Sequence, residues 1–508
     1  MGNILMQTIN FIYEYEQDGV IFPNGLTNEA YHSTVEQIQL HGVSTNDFFT
    51  RGYTDHHMVI NLSSRYPEKT FNVFYTRTIY ENILHFFTKI DDKKYTFEKN
   101  DEQFEVNLIK PDNIQKGEQN YYAINLFGNE DFLFQTPSLT VTNLDEKQSQ
   151  NKPLLNLDSK IINAIIEGDL KLIIATFHEG GVHYPSFFTK LYDSCKILGI
   201  NPSDIHYVNA DANIKLQHQL YCNDSVIPTQ INCHFVDWLF TTACGAYSNN
   251  PYDEDVLNYD GEREKNFLIF NRSVFKDHRF WYLSQLQKNK VLDDCLFSMI
   301  FPYDREIQFG QDIYRGFPAF ASEEEFKDLL PHMQELKDMG SIKIDDVDTF
   351  EDSTFYVNGR RVHYGWIDWS KPTFDFTFLR TYMTLLTESS FTSCQVSEKG
   401  VKALRYYHPF IAVAGPHYLK MLREKGFRTF GKYFDESYDD IEDHGERMKA
   451  IVKLTTELND KDKLHKIFID SKEDVIYNSH LCRTFSDYQT IQELFYNIFT
   501  TNNIIKYI

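Results

Sequence analysis

The chain has 508 residues, 42% hydrophobic and 15% aromatic, with a formal net charge of −23. That length exceeds one ordinary core, so two or three domains are expected. The acidic balance excludes a large nucleic-acid footprint, because phosphate contacts need Lys and Arg, and it disfavours duplex DNA as a partner.

The opening stretch, "MGNILMQTINFIYEYEQ", has no basic region ahead of an apolar run and does not read as a signal peptide. Gly2 does not mark myristoylation, since Met6 stands where a small hydroxyl residue is required. No segment approaches 18 uninterrupted apolar residues, so no membrane span is expected. The seven cysteines are scattered, odd in number and without a C-x-x-C pair. They predict reduced, buried thiols in a cytoplasmic protein, or in the host cytoplasm if the source is viral.

Residues 1–150 are rich in β-branched and aromatic residues, as in "HHMVINL" (56–62), "TFNVFYTR" (70–77) and "YYAINLFG" (121–128). They predict a β-rich or α+β N-terminal module. His56 and His57 are read as ordinary strand histidines, because adjacent strand residues point to opposite faces. "LDEKQSQNKP" (144–153) is the predicted linker.

From 154 the texture changes. "SKIINAIIEGD" predicts a helix, "LKLIIATF" (170–177) a buried strand, and "HEGGVHYPSFFTKLYDSCKILGI" a Gly-Gly turn into an amphipathic helix. "DIHYVNADAN" (204–213) supplies the next strand and closes a βαβ unit. A second such pattern starts at 262: "EKNFLIFNR" predicts a strand and "DHRFWYLSQLQKNKVL" a helix starting near Asp277. The acidic stretch from Glu323 to Asp352 reads as a solvated insertion, and its Asp346-x-Asp348 as a chance pair in a chain of 73 acids. "FLRTYMTLLTES" (378–389) resumes the alternation. The predicted fold class is α/β. Two Rossmann-like domains, 154–260 and 261–508 with the insertion near 320–370, face each other across a cleft behind the N-terminal module.

"VSEKGVKALRYYHPFIAVAG" (396–415) places an acid and a base side by side at a helix start. Ser397 suits the N-cap, with Glu398 and Lys399 in the first turn. A lysine there opposes the helix dipole unless an anion sits between it and the first-turn amides. Glu398 could then accept from sugar hydroxyls such as a ribose. The other reading of the same residues is a surface Glu-Lys pair with a routine cap.

Residues 396–452, with the Ser-Glu-Lys turn, the "PFIAVAG" strand, "GFRTF" and "DESYD", resemble the C-terminal region of glycosyltransferase-like proteins common in bacteriophages and large DNA viruses. The Glu-Lys turn is similar to the donor-binding turn of fucosyltransferase-type GT-B enzymes. "FLIFNRSVFKDHRF" (267–280) resembles the strand–helix start of the same half, and "TFHEGG" (176–181) is a weaker match. The resemblance covers roughly 160–460 and leaves residues 1–150 outside it.

The resemblance implies a GT-B-like fold and a nucleotide-sugar-dependent glycosyltransferase of the EC 2.4 class, acting on a glycan or other hydroxyl acceptor. It gives Glu398 the donor hydroxyls and Lys399 the diphosphate. Arg272, His278 and Arg279 line the pyrophosphate side, with Asn271 and Ser397 completing the two turns. No metal and no cofactor are expected, because Lys399, Arg272, Arg279 and the helix dipole neutralise the leaving diphosphate. "DESYDDI" (435–441) is read as capping the helix that follows, and "GFRTF" as a packing turn. An E-x7-E pattern is missing, so the anomeric outcome stays open. For an inverting transfer, the base is expected just past strand 170–177, at the carboxyl edge where open α/β sheets bind ligands. Glu179 is the first candidate, His178 the second, and His183 and Asp211 weaker ones. The competing function class is a non-enzymatic viral structural or host-interaction protein reusing the fold.

Overall fold

The computed structural model describes residues 6–22, 87–125, 155–176, 184–244, 261–271, 277–299, 322–344, 354–363 and 375–500, each apart from isolated positions. Within the chain, Met1–Trp238 and Tyr488–Ile508 form one compact unit and Leu239–Asp487 a second. Each unit is α/β, built on a parallel sheet with helices against it.

In chain order the first unit contains β1 (Met6–Ile12), β2 (Thr88–Asp91), β3 (Lys94–Lys99), β4 (Glu102–Ile109) and β5 (Gln119–Asn125). Then come α1 (Ser159–Ile166), β6 (Lys171–Thr176), α2 (Tyr184–Leu198), β7 (Ile205–Asn209), α3 (Ile214–Ser225) and β8 (Asn232–Phe235). One sheet holds all eight strands in the order β8-β7-β6-β5-β1-β4-β3-β2. β1 pairs in parallel with both β4 and β5, while β3 and β2 add an antiparallel edge. The expected boundary near 150 is therefore not a domain boundary. Strands from 1–150 lie in the same ladder as those from 171 onward, β5 pairing with β6 from Tyr121 opposite Lys171 to Asn125 opposite Ala175.

The two sheet faces are closed differently. Ile12, Tyr122, Ile124, Leu172 and Ile174 pack against α1, α2 and α3. Ile9, Phe11, Phe97, Phe104 and Tyr121 meet the chain's last helix, Asp487–Thr500. That helix buries Ile491, Leu494, Phe495, Ile498 and Phe499, a stripe at i, i+3, i+4, i+7 and i+8. Phe499 lies 5.6 Å from the Phe104 ring and 5.5 Å from Tyr121, and Phe495 6.0 Å edge-on to Phe11. Full burial of each such side chain is worth about 1.5–3 kcal/mol. The last helix is thus a layer of the first unit, where the sequence had placed everything after 261 in one domain.

The second unit contains β9 (Lys265–Asn271), α4 (Asp277–Lys288), β10 (Cys295–Met299), α5 (Glu323–Met339), β11 (Thr381–Thr387), α6 (Glu398–Arg405) and β12 (Phe410–Val413). Helices α7 (Tyr418–Glu424), α8 (His444–Leu458), α9 (Lys461–Asp470) and α10 (Lys472–Cys482) follow. The four strands of its main sheet are all parallel, in the order β10-β9-β11-β12, and Thr354–Val357 and Arg360–His363 form a separate antiparallel pair. Every residue of β11 and of the edge strand β12 is buried, as expected of a parallel sheet covered on both faces. After β9 the chain goes first to one side, for β10, and later to the other, for β11. The order reverses between β9 and β11, the topological switch point where open sheets of this kind take ligands.

One part of the acidic stretch departs from expectation. Its opening "SEEEF" starts α5, closed by a capping box in which Ser322 and Glu325 satisfy each other's amides. Phe326, Leu329, Met333 and Leu336 are buried, so this helix is packed and not a solvated insertion. Asp346 and Asp348 lie outside the described residues, as do His56, His57 and the linker 144–153. All seven cysteines are free thiols, six of them buried. Among the described residues no helix is long and apolar enough to cross a membrane.

Candidate functional site

At the switch point two strand-to-helix turns meet on one residue that the sequence reading passed over. Glu388 follows directly on β11, is 0% exposed, and is held by every polar group it has. Its amide donates to the Val413 carbonyl at 3.1 Å. Its carbonyl oxygen accepts from His278 Nε2 at 2.9 Å and from Arg279 Nε and Nη2 at 3.2 and 3.0 Å. Carboxylate Oε1 accepts from the Ser397 amide at 3.1 Å and the Tyr418 hydroxyl at 2.8 Å, and Oε2 from the Ser389 amide at 3.3 Å. The starts of α4, α6 and α7 are therefore tied together through Glu388.

The Ser-Glu-Lys turn forms as its sequence predicts. Ser397 is the N-cap of α6, its hydroxyl oxygen accepting from the Lys399 amide at 3.3 Å. Lys399 Nζ donates to Glu398 Oε1 at 2.7 Å, with both side chains largely buried at 12% and 16% exposure. This is not a solvated surface pair. One expectation changes, because the first-turn amides are not open to an anion. Ser397 N–H goes to Glu388, Lys399 N–H to Ser397, and the Glu398 amide to its own carboxylate.

Lys402, one turn further along α6, was also missed. It is 4% exposed, with Nζ 5.8 Å above the Phe270 ring at the end of β9. Burial pushes the Glu398 carboxyl up, but the Lys399 and Lys402 charges outweigh it and hold the group well below the usual carboxylate range. Glu388 goes the other way. Burial raises it, and Lys399, the Ser397 amide and the Tyr418 hydroxyl only partly offset that.

The remaining predicted residues sort clearly. Asn271 ends β9, fully buried, with Oδ1 accepting from Thr387 Oγ1 at 2.6 Å and Nδ2 buried without a partner among the described residues. His278 and Arg279 stand at the start of α4, but at 5% and 4% exposure they are turned onto the Glu388 carbonyl. Asn271, His278, Arg279, Ser397, Glu398 and Lys399 thus converge at one sheet edge. Arg272, His178, Glu179 and His183 lie outside the described residues. Asp211 is 1% exposed and closes a turn by accepting from the Asn213 amide at 2.9 Å.

Packing fixes the β11–α6 turn from behind. Arg447 Nη2 donates to the Phe391 carbonyl at 2.6 Å and Nε to that of Ala414 at 3.2 Å. A Cβ at Gly400 would run into the Tyr418 hydroxyl and Val396 Cγ1, and would sit 3.1 Å from Glu388 Oε1. The acidic "DESYD" is structural, though not quite as expected. Asp435 accepts from Ser437, Glu436 from the Phe430 amide, and Asp439 from the Leu419 and Lys420 amides at the start of α7. The helix that follows, α8, is capped by Asp443.

No family model matches the chain, and no curated protein matches it. Among solved structures it is similar to a UDP-forming alpha,alpha-trehalose-phosphate synthase from Burkholderia vietnamiensis. That match has 8% identity and a TM-score of 0.33, covering 81% of this chain and 90% of that one. An OtsA apo structure matches at 10% identity and TM-score 0.32, over 97% and 98% of the two chains. An E. coli structure bound with UDP-2-fluoro glucose matches at 11% identity and TM-score 0.30, over 80% and 91%. Superpositions this loose transfer no residue role.

Proposed function

We propose that the chain is a nucleotide-sugar-dependent glycosyltransferase of GT-B-like architecture, with its donor site at the carboxyl edge of the second sheet. One observation carries the reading. The Ser397-Glu398-Lys399 helix start sits at the switch point and is knitted through Glu388 to the helix start after β9. The sequence resemblance to the phage and large-virus glycosyltransferases, and to the fucosyltransferase-type donor turn, points to the same residues.

In this reading the donor diphosphate draws Lys399 away from Glu398. The freed Glu398 carboxylate accepts from ribose or sugar hydroxyls, for which a group held firmly ionised is suited. His278 and Arg279 keep the turn rigid by their hold on the Glu388 carbonyl, and the Asn271 amide, buried and without a partner among the described residues, supplies a further donor at the edge. Charge on the leaving diphosphate is met by Lys399, Lys402 and Arg272, so the reaction needs no metal. Glu179, or failing it His178, takes the acceptor proton. The acceptor is a glycan or another hydroxyl compound, and the protein works in the cytoplasm.

A non-enzymatic role for the same fold is favoured by one observation, the internally satisfied first turn of α6. Thermal stabilisation by a panel of UDP-, GDP- and ADP-sugars decides between the two. A rise in Tm with one donor that Lys399→Ala abolishes is the expected result, and a flat panel favours the non-enzymatic role.

A further inference from the structure

The second unit begins at Leu239 and ends at Asp487, and its two ends meet. Phe240, just inside the first end, lies 5.0 Å edge-on to Phe485, just inside the last. Phe427, past α7, completes the cluster at 5.8 Å from Phe240 and 5.5 Å from Phe485. A few residues further in, each end carries a cysteine. Cys244 Sγ lies 3.5 Å from the Sγ of Cys482, the last residue of α10, and both residues are 0% exposed. The two are 238 positions apart in the sequence.

We infer that Cys244 and Cys482 are an oxidisable pair, which a peroxide joins into a disulfide that closes the second unit end to end. The inference uses other residues than the donor site and does not rest on it.

Buried thiols commonly act as small apolar side chains, and contact between two sulfurs is not by itself a redox site. Position sets this pair apart. The sulfurs face each other where the chain enters and leaves one compact unit, already held together by the Phe240 and Phe485 rings. Other thiols face different groups, Cys222 the His218 ring and Cys295 the Val291 carbonyl. A bonded pair sits at about 2.0 Å, so the sulfurs have about 1.5 Å to close, by rotation about their own Cα–Cβ bonds.

The chemistry balances with a peroxide as the one co-reactant. The first thiolate attacks a peroxide oxygen. The O–O bond breaks, a sulfenic acid forms, and the departing hydroxide takes the thiol proton and leaves as water. The second sulfur then attacks the sulfenic sulfur. The S–O bond breaks, the S–S bond forms, and a second water leaves with the second thiol proton. Two thiols are oxidised and one peroxide is reduced. Burial disfavours the thiolate and blocks access, so reaction waits for the ends of the unit to open. The same burial keeps reductants from the finished bond until the ends open again.

The bridge would enclose nearly all of Leu239–Asp487. A cross-link restricts the unfolded chain, and more so the longer the loop it closes, so oxidation stabilises the second unit. The experiment is peptide mapping of the full chain without reductant, before and after hydrogen peroxide, beside scanning calorimetry. Oxidised wild type should lose the mass of two hydrogen atoms and yield one cross-linked peptide pair carrying Cys244 and Cys482. One unfolding transition should rise by about 5–10 °C. Dithiothreitol should reverse both changes. Cys482→Ser should form no bridge and show no rise, and dimedone should trap a sulfenic acid at its Cys244. Cys244→Ser should mirror this at Cys482, which guards against one variant that misfolds. If peroxide leaves Cys244 and Cys482 as thiols in the wild type, or pairs either with another cysteine, the inference is overturned. A bridge between the two that moves no transition overturns the closure of the unit.

Discussion

The Tyr418 hydroxyl stands 2.8 Å from Glu388 Oε1, and it reaches there across a position that only glycine can fill. A methyl group at residue 400 would occupy the place of that hydroxyl. Gly400→Ala should therefore cost about 1–3 kcal/mol by overpacking. Urea denaturation reads it. The double variant with Tyr418→Phe should recover part of the loss, since one of the two clashing groups is gone. Additive losses would mean that the two residues do not compete for the same space.

Lys399→Ala should weaken donor binding by about 1.5–3 kcal/mol, the scale of one charge-assisted hydrogen bond. Calorimetry against the donor found by thermal screening measures this. Unchanged affinity would remove Lys399 from the diphosphate and the donor from α6.

Full turnover is expected in EDTA, because cationic side chains meet the diphosphate. The measurement is initial rate before and after chelation. A loss of activity that Mn²⁺ restores would promote Asp346 and Asp348 to ligands.

Glu179→Gln should lower turnover by about 10²–10⁴ while leaving donor affinity intact, the pattern of a lost general base. Steady-state kinetics beside calorimetry separates the two effects. Normal turnover would shift the search to His178.

Acid should destabilise the second unit through His408. This ring is 2% exposed, bonded between the Thr384 hydroxyl at 2.7 Å and the Thr381 carbonyl at 2.9 Å, and neutral in that arrangement. Burial, with the Arg263 charge behind it, holds its pKa down to about 3. The unfolded chain protonates the ring near its ordinary value of about 6.5, so it binds more protons than the fold does. This contribution is present above that value and lost as pH falls below it, by up to about 1.4 kcal/mol per pH unit. Urea unfolding at pH 7, 6 and 5 should show a shallower pH slope for His408→Gln than for wild type, and equal slopes would contradict the assignment.

Local signals carried far in the sequence. The cap at Ser397, the helix start at Asp277 and the strands ending at Thr176 and Asn271 all follow from apolar runs and capping residues, which act over a few positions. Pairing between distant segments did not show. Met6–Ile12 forms a strand whose neighbours begin at Glu102 and Gln119, and no local pattern encodes which strands share a ladder. Glu388 escaped for a related reason. In "TLLTESS" it reads as an acid just past a strand, and its importance comes from Ser397, Tyr418 and His278 arriving from three other elements. A glutamate following directly on a strand-forming run, ahead of Ser-Ser, was the available hint.

The return of the last helix to the first sheet has a consequence for how the chain is made. Emerging from the ribosome, Phe11, Phe97, Phe104 and Tyr121 lack the cover of Phe495 and Phe499 until those residues are synthesised. The whole of Leu239–Asp487 comes out in between. The first half to be translated is therefore the last to be completed, and until then its sheet face lacks the aromatic rings of the last helix. Domains generally close in order of synthesis; here the order is inverted, and the nascent chain must be shielded or the second unit must fold quickly.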